Sequence, residues 1–122
     1  MKPVILVVDD NQTNRALLRD VLEPLGFAIT EAENGRRAVE LAEDCQPVVI
    51  LMDISMPVMD GLSACREIRA MEGFTGVPII VITAFGREDY EDEAYEAGCT
   101  HFLVKPLNFD YLLKLIAPYR PE

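Results

Sequence analysis

Three apolar runs, broken only by Pro78, constrain this chain more than any other feature. Val4-Ile5-Leu6-Val7-Val8, Val48-Val49-Ile50-Leu51-Met52 and residues 77–82, with Pro78 near the start, are apolar at successive positions rather than at every second one. They are rich in β-branched side chains, which fit a pleated strand better than a helix. A strand apolar on both sides needs cover on both faces, which is the situation of a parallel sheet between two helix layers. Residues 28–33 alternate instead, with Ile29 and Glu31 on one face and Thr30 and Ala32 on the other, and read as a less buried edge strand. Residues 100–104 supply a fifth strand.

The segments between these strands carry a helical period. Leu17, Leu18, Val21, Leu22 and Leu25 fall on one stripe, closed by Pro24-Leu25-Gly26. Residues 34–45 carry Ala38, Val39, Leu41 and Ala42, and residues 62–71 carry Leu62, Cys65, Ile68 and Arg69 after an Asp60-Gly61 turn. Residues 86–97 are thinly apolar, with Gly98 as a stop. Residues 108–117 open on a capping-type Asn108 and are expected to bury Tyr111, Leu112, Leu115 and Ile116. Five strand–helix units predict a doubly wound α/β domain, a five-stranded parallel sheet with five helices. The 122 residues show no repeat, linker or low-complexity tract, so residues 1–122 read as a single domain.

Charge and cysteine usage narrow the function. Eleven Lys and Arg against 21 Asp and Glu give a net charge of −10. That excess repels nucleic acid and anionic membrane surfaces; its plain reading is solubility, and its sharper one a metal cation or a basic partner. Cys45, Cys65 and Cys99 are odd in number and lack C-x-x-C spacing, which points to reduced, packed thiols rather than a disulfide framework or a zinc site. His101 is the only histidine and cannot build a multi-histidine metal site. The longest apolar run is too short for a signal peptide or a membrane span, so a soluble, cytoplasmic protein is expected.

In open α/β sheets, ligands bind beyond the carboxyl ends of the strands, where strand order reverses. The first strand runs into Asp9-Asp10, the third into Asp53, the fourth into Thr83 and the fifth into Lys105-Pro106. In a sheet of order 2-1-3-4-5 the first and third strands are neighbours at the reversal, so three carboxylates and Lys105 are expected to converge there. Three carboxylates and one ammonium leave a net charge of roughly −2, which a divalent ion balances. Oxygen donors without His or Cys favour Mg²⁺. Taken singly, each residue has a plainer reading: an Asp, like Asn11 or Thr13, caps a helix, and a Lys sits on the surface. Their joint placement on one rim favours a site.

These residues belong to a pattern that resembles the receiver domain of two-component response regulators over essentially the whole chain. The matching blocks are Val7-Val8-Asp9-Asp10-Asn11 with Asn14-Arg15, then Met52-Asp53, Met56-Pro57 and Met59-Asp60-Gly61, then Ile82-Thr83-Ala84, Ala97-Gly98-Cys99 and Lys105-Pro106. The resemblance implies a chemotaxis-regulator-like, flavodoxin-like fold. It further implies that Asp53 accepts a phosphoryl group from a histidine kinase or histidine phosphotransfer protein, as a signalling domain rather than a turnover enzyme. By the same likeness Asp10 is a direct Mg²⁺ ligand, Asp9 acts through a water, and the Ser55 backbone carbonyl completes the set. Lys105 then pairs with Asp53 or its phosphoryl oxygens, and Thr83 bonds a phosphoryl oxygen. The likeness also raises the expectation of a cis Lys105-Pro106 bond.

On the output side the resemblance makes Thr83 and Phe102 the switch, with Phe102 moving inward where the family commonly has tyrosine. The surface of the fourth helix, fifth strand and fifth helix then changes its affinity for a partner protein. The acidic stretch 87–96 reads as a solvated face that biases partners toward basic ones. Met52, Met56, Met59 and Met71 read as packing residues. Ser55 and Phe85 lie where the family tunes the lifetime of the phosphorylated state. A stand-alone regulator and a receiver of a longer, hybrid protein both fit, and pairing of two copies through the switching face is left open. A Mg²⁺-dependent phosphatase of D-x-D type is the competing enzyme reading, against which Ser55 stands where the second carboxylate is needed. An interaction module that takes no phosphate is the other.

Overall fold

The β-branched runs form five strands, Val4–Val8 (β1), Ala28–Ala32 (β2), Val49–Asp53 (β3), Ile79–Thr83 (β4) and His101–Val104 (β5). In this computed structural model the described residues are 2–54, 58–84 and 87–121, with 58–60 and 87–89 described by backbone alone. All strands are parallel, in the order β2-β1-β3-β4-β5. The connecting helices are Gln12–Leu22 (α1), Gly35–Cys45 (α2), Val58–Ala70 (α3), Arg87–Glu96 (α4) and Phe109–Ile116 (α5). The expected doubly wound α/β sheet with five helices is therefore the architecture found. Among the described residues no helix is long and apolar enough to cross a membrane.

Alternate residues of each central strand feed two separate cores. Leu6, Val8, Ile50, Met52, Val81 and Phe102 pack with Ala38, Ala42, Cys65, Ile68 and Ala94 from α2, α3 and α4. Ile5, Val7, Leu51, Ile80, Ile82 and Leu103 pack with Leu18 and Leu22 of α1 and Leu112 and Ile116 of α5. This two-sided burial is why β3 and β4 are apolar without alternation. β2 lies at the edge, and only its Ala32 is fully buried. Asn11, Asn34 and Asn108 cap α1, α2 and α5, each side chain accepting the backbone N–H three residues on.

Two expectations of burial are corrected. Leu17 is 50% exposed and Tyr111 is 47% exposed. Each sits at the margin of its helix's apolar arc: α1 turns Leu18 and Leu22 to the sheet, and α5 turns Leu112 and Ile116. All three cysteines are free; Cys65 and Cys99 are buried, and burial pushes their thiols up to about 12 and about 11.

Arg69, read as part of an apolar stripe, instead closes the loops at the amino-terminal end of the sheet. Its Nε donates to the Gly98 carbonyl at 2.8 Å, and its guanidinium also reaches the carbonyls of Phe74 at 2.7 Å and Val77 at 2.5 Å. Gly98 has φ +108°, and a Cβ there would lie 2.6 Å from the Arg69 side chain, so this glycine is required both by conformation and by close approach. Replacing Arg69 by Ala strands three carbonyls. We expect a loss of about 2–3 kcal/mol, or on the order of 10 °C in Tm by calorimetry. Arg37→Ala, which removes only an exposed pair with Glu40, is expected to change stability by less than about 0.5 kcal/mol.

Candidate functional site

Because every strand runs the same way, the sheet delivers all its carboxyl ends to one rim. Val8 lies opposite Met52 in the β1–β3 register, so the next residues, Asp9 and Asp53, are brought side by side. Asp53 in turn lies opposite Ile82 on β4. The ladder continues past the strand ends and fixes the backbone there. Asp9 donates its N–H to the Ala32 carbonyl at 3.0 Å, Ile54 to Ile82 at 2.8 Å, and Lys105 to Thr83 at 2.7 Å.

Asp9 and Asp53 are both buried, at 4% exposure each, and Thr83 is fully buried. Lys105 Nζ donates to Asp53 Oδ2 at 2.6 Å, and the Lys105–Pro106 peptide is cis. Asp9 Oδ1 accepts the Asn11 backbone N–H at 2.8 Å. Burial raises the Asp9 carboxyl to about 6, helped by a hydrogen bond with the Asp53 carboxyl and by the Asp53 charge. The Asn11 N–H and the Lys105 ammonium act in the opposite direction. Among the described residues, these two close carboxyl groups share the neighbouring Lys105 ammonium.

The structure brings together Asp9, Asp53, Lys105 and, at the end of the next strand, Thr83. Asp10 stands on the same rim but is exposed. Asp9 and Asp53 are in direct contact, with Asp10 beside them in sequence; among the described residues no group of three His, Cys, Asp or Glu side chains is already gathered around a metal position. With Asp9 turned inward at the end of an extended strand, its neighbour is turned outward. The donor set still fits a hard cation. It is built of oxygens, it carries surplus negative charge, and Mg²⁺ commonly keeps several waters while binding through one or two carboxylates. Ser55 and Phe85 lie outside the described residues. Phe102 is buried at 2% exposure within the core on the α2–α4 side.

Two features escaped the sequence reading. A cavity of about 290 Å³ opens beside Asp53 and Lys105, walled by Leu17 and Leu18 of α1 and by Leu107 and Phe109 near the start of α5. It explains the position of Leu17, which faces this crevice instead of the core. The second is Arg15, whose Nη1 donates to the Asp9 carbonyl at 2.6 Å. Its signal was the i, i+4 spacing with Arg19 opposite Glu31 on the edge strand, which is visible only once β2 is placed beside α1.

The raised Asp9 carboxyl has a stability consequence with a definite sign. It titrates near 6 in the folded chain, against 3.8 for the ordinary group. The stability it contributes is complete below the lower value and is lost as pH rises through the upper one. Above that, charged Asp9 opposes folding by up to about 3 kcal/mol. In a chelator, Asp9→Asn is expected to raise Tm at pH 7.5 by several degrees, with the difference vanishing near pH 4. Equal melting at pH 7.5 would contradict it.

A family model described as the response regulator receiver domain matches residues 5–117. The chemotaxis protein CheY of Bacillus subtilis is 39% identical over 113 residues, 92% of each chain. The sensor histidine kinase CheAY of Helicobacter pylori is 35% identical over 115 residues, which make up 93% of this chain and 14% of the kinase. The receiver domain of a sensor histidine kinase from Pseudomonas aeruginosa, solved with a magnesium ion coordinated in its active-site cleft, superposes with a TM-score of 0.86. It is 36% identical, with 98% of both chains covered.

Proposed function

We propose, from the fact that the chain belongs to the response regulator receiver family, that Asp53 accepts a phosphoryl group from a phosphohistidine of a histidine kinase or histidine phosphotransfer protein. The observation that carries this reading is the buried Asp53 carboxylate held 2.6 Å from Lys105, with Asp9 beside it on the rim of the sheet. An Asp53 oxygen attacks phosphorus in line; the new O–P bond forms as the N–P bond breaks, and the histidine nitrogen keeps the electron pair. The product is an acyl phosphate. Lys105 meets the carboxylate before transfer and the phosphoryl oxygens after it. The exposed Ala84 keeps the approach open.

Asp9, Asp10 and Asp53 would hold Mg²⁺, with the backbone carbonyl of Ser55. When bound, the ion neutralises charge on the phosphoryl oxygens, where a loose transition state spreads it. The magnesium in the cleft of the Pseudomonas domain supports this assignment. Thr83, at the end of β4, hydrogen-bonds a phosphoryl oxygen, and phosphorylation favours the packing in which Phe102 is buried. That reweights the surface of α4, β5 and α5, for which a bias of a few kcal/mol is enough. The partners are proteins of the signalling chain in the cytoplasm, and the net charge of −10 argues against nucleic acid. Residues 1–122 act as one receiver domain, a phosphoacceptor that turns over no free substrate.

Intact mass after treatment with acetyl phosphate and Mg²⁺ tests the reading. One phosphoryl adduct is expected on the wild type and none on Asp53→Ala. Lys105→Met is expected to slow labelling by roughly 10²-fold, the scale of losing one stabilising donor at a reacting oxyanion. Sustained hydrolysis of a generic phosphomonoester dependent on Asp53 would instead mark a phosphatase.

A further inference from the structure

We propose that Arg15 is a positioning residue for the cation site: held by Glu31, it grips the backbone carbonyl of Asp9 and sets the peptide that joins Asp9 to Asp10. The inference rests on the reading of Asp9 and Asp10 as Mg²⁺ ligands. The Asp9 N–H completes the β1–β2 ladder at Ala32, but its carbonyl lies past the last strand residue. Arg15 supplies the partner, with Nη1 2.6 Å from that oxygen. That carbonyl belongs to the peptide linking Asp9 to Asp10, so holding it fixes the backbone between the two side chains.

The guanidinium is itself fixed. Its Nε donates to Glu31 Oε1 at 2.9 Å, and the side chain is only 14% exposed, unusual for an arginine on an outer helix. Arg19, one turn further along α1, takes the other Glu31 oxygen, with Nε at 2.9 Å and Nη2 at 2.8 Å. Hydrogen bonds from Arg19 and Arg15 hold the Glu31 carboxyl below the usual carboxylate range. A bare guanidinium this close to the acidic pair would compete with a bound cation. Arg15 and Arg19 share Glu31 and Arg19 also pairs with Glu23 at 2.9 Å, so the four side chains are neutral as a set and Arg15 contributes direction with little net field. Outer groups that orient metal-holding residues commonly matter to metal affinity about as much as a weak ligand does.

Arg19 provides the internal control, because it shares Glu31 and touches neither Asp9 nor Asp10. Arg15→Gln and Arg19→Gln each leave Glu31 one guanidinium, so both are expected to fold and to melt within a few degrees of each other. Calorimetric titration with Mg²⁺ alone should give an affinity lowered roughly tenfold in Arg15→Gln and within about twofold of wild type in Arg19→Gln. At saturating Mg²⁺, the rate of Asp53 labelling by acetyl phosphate should return close to wild type in Arg15→Gln. Unchanged Mg²⁺ affinity in Arg15→Gln, with normal wild-type binding, overturns the positioning role alone. Equal weakening in both variants also overturns it, since that is a shared structural effect. A wild type that binds no Mg²⁺ removes the underlying reading and the inference together.

Discussion

The buried contact between the Asp9 and Asp53 carboxyl groups is the interaction on which the rest of this structure turns. Removing even one carboxylate from water is unfavourable, and placing two within hydrogen-bonding reach adds repulsion. One ammonium, 2.6 Å from Asp53, answers part of this and leaves Asp9 titrating near 6. A chain under no demand except stability would place apolar side chains at these positions. The site is therefore locally unfavourable in the absence of a cation, and binding of one relieves what folding imposes.

The fold can hold such a pair because its stability comes from elsewhere. β3 and β4 are buried on both faces, and the two cores they feed share no side chain. The parallel arrangement then fixes the rim with backbone hydrogen bonds that extend one residue past β1, β3 and β5. Reversal of strand order between β1 and β3 sends α1 and α2 to opposite faces, which opens the crevice where the acids meet. Chemistry sits in the loops while precision is borrowed from the ladder.

Much of this was legible in the residues, and the failures have physical causes. Three of the five strands are legible because two-sided burial leaves unbroken apolar runs, and the edge strand β2 because one-sided burial leaves alternation; Asp9, Asp53, Thr83 and Lys105 stand out because each follows or ends a strand. Register then did what side-chain type could not, separating inward Asp9 from exposed Asp10. Leu17 and Tyr111 were misplaced because a stripe read by spacing does not show how far its arc reaches the sheet. Arg69 and Arg15 were invisible as structural groups because what they hold are carbonyls distant in sequence, and a carbonyl leaves no mark on residue identity.

The energies at the rim and in the core differ in scale, and that difference suits a switch. Burial of the two cores contributes on the order of 10² kcal/mol, offset by chain entropy of similar size. The imbalance at the Asp9–Asp53 pair is a few kcal/mol, the same size as the bias that moves a two-state population. Adding a phosphoryl group and a divalent ion at this rim changes charge by whole units without touching Leu6, Ile50 or Val81 beneath it. Thr83 is the last residue of β4, and its carbonyl accepts the N–H of Lys105 just past β5, the strand that carries Phe102, which is the connection the proposed switch would use. On the proposed reading what is reweighted is local, the rim loops and the position of Phe102 within the α2–α4 core, while the rest of that core keeps its packing.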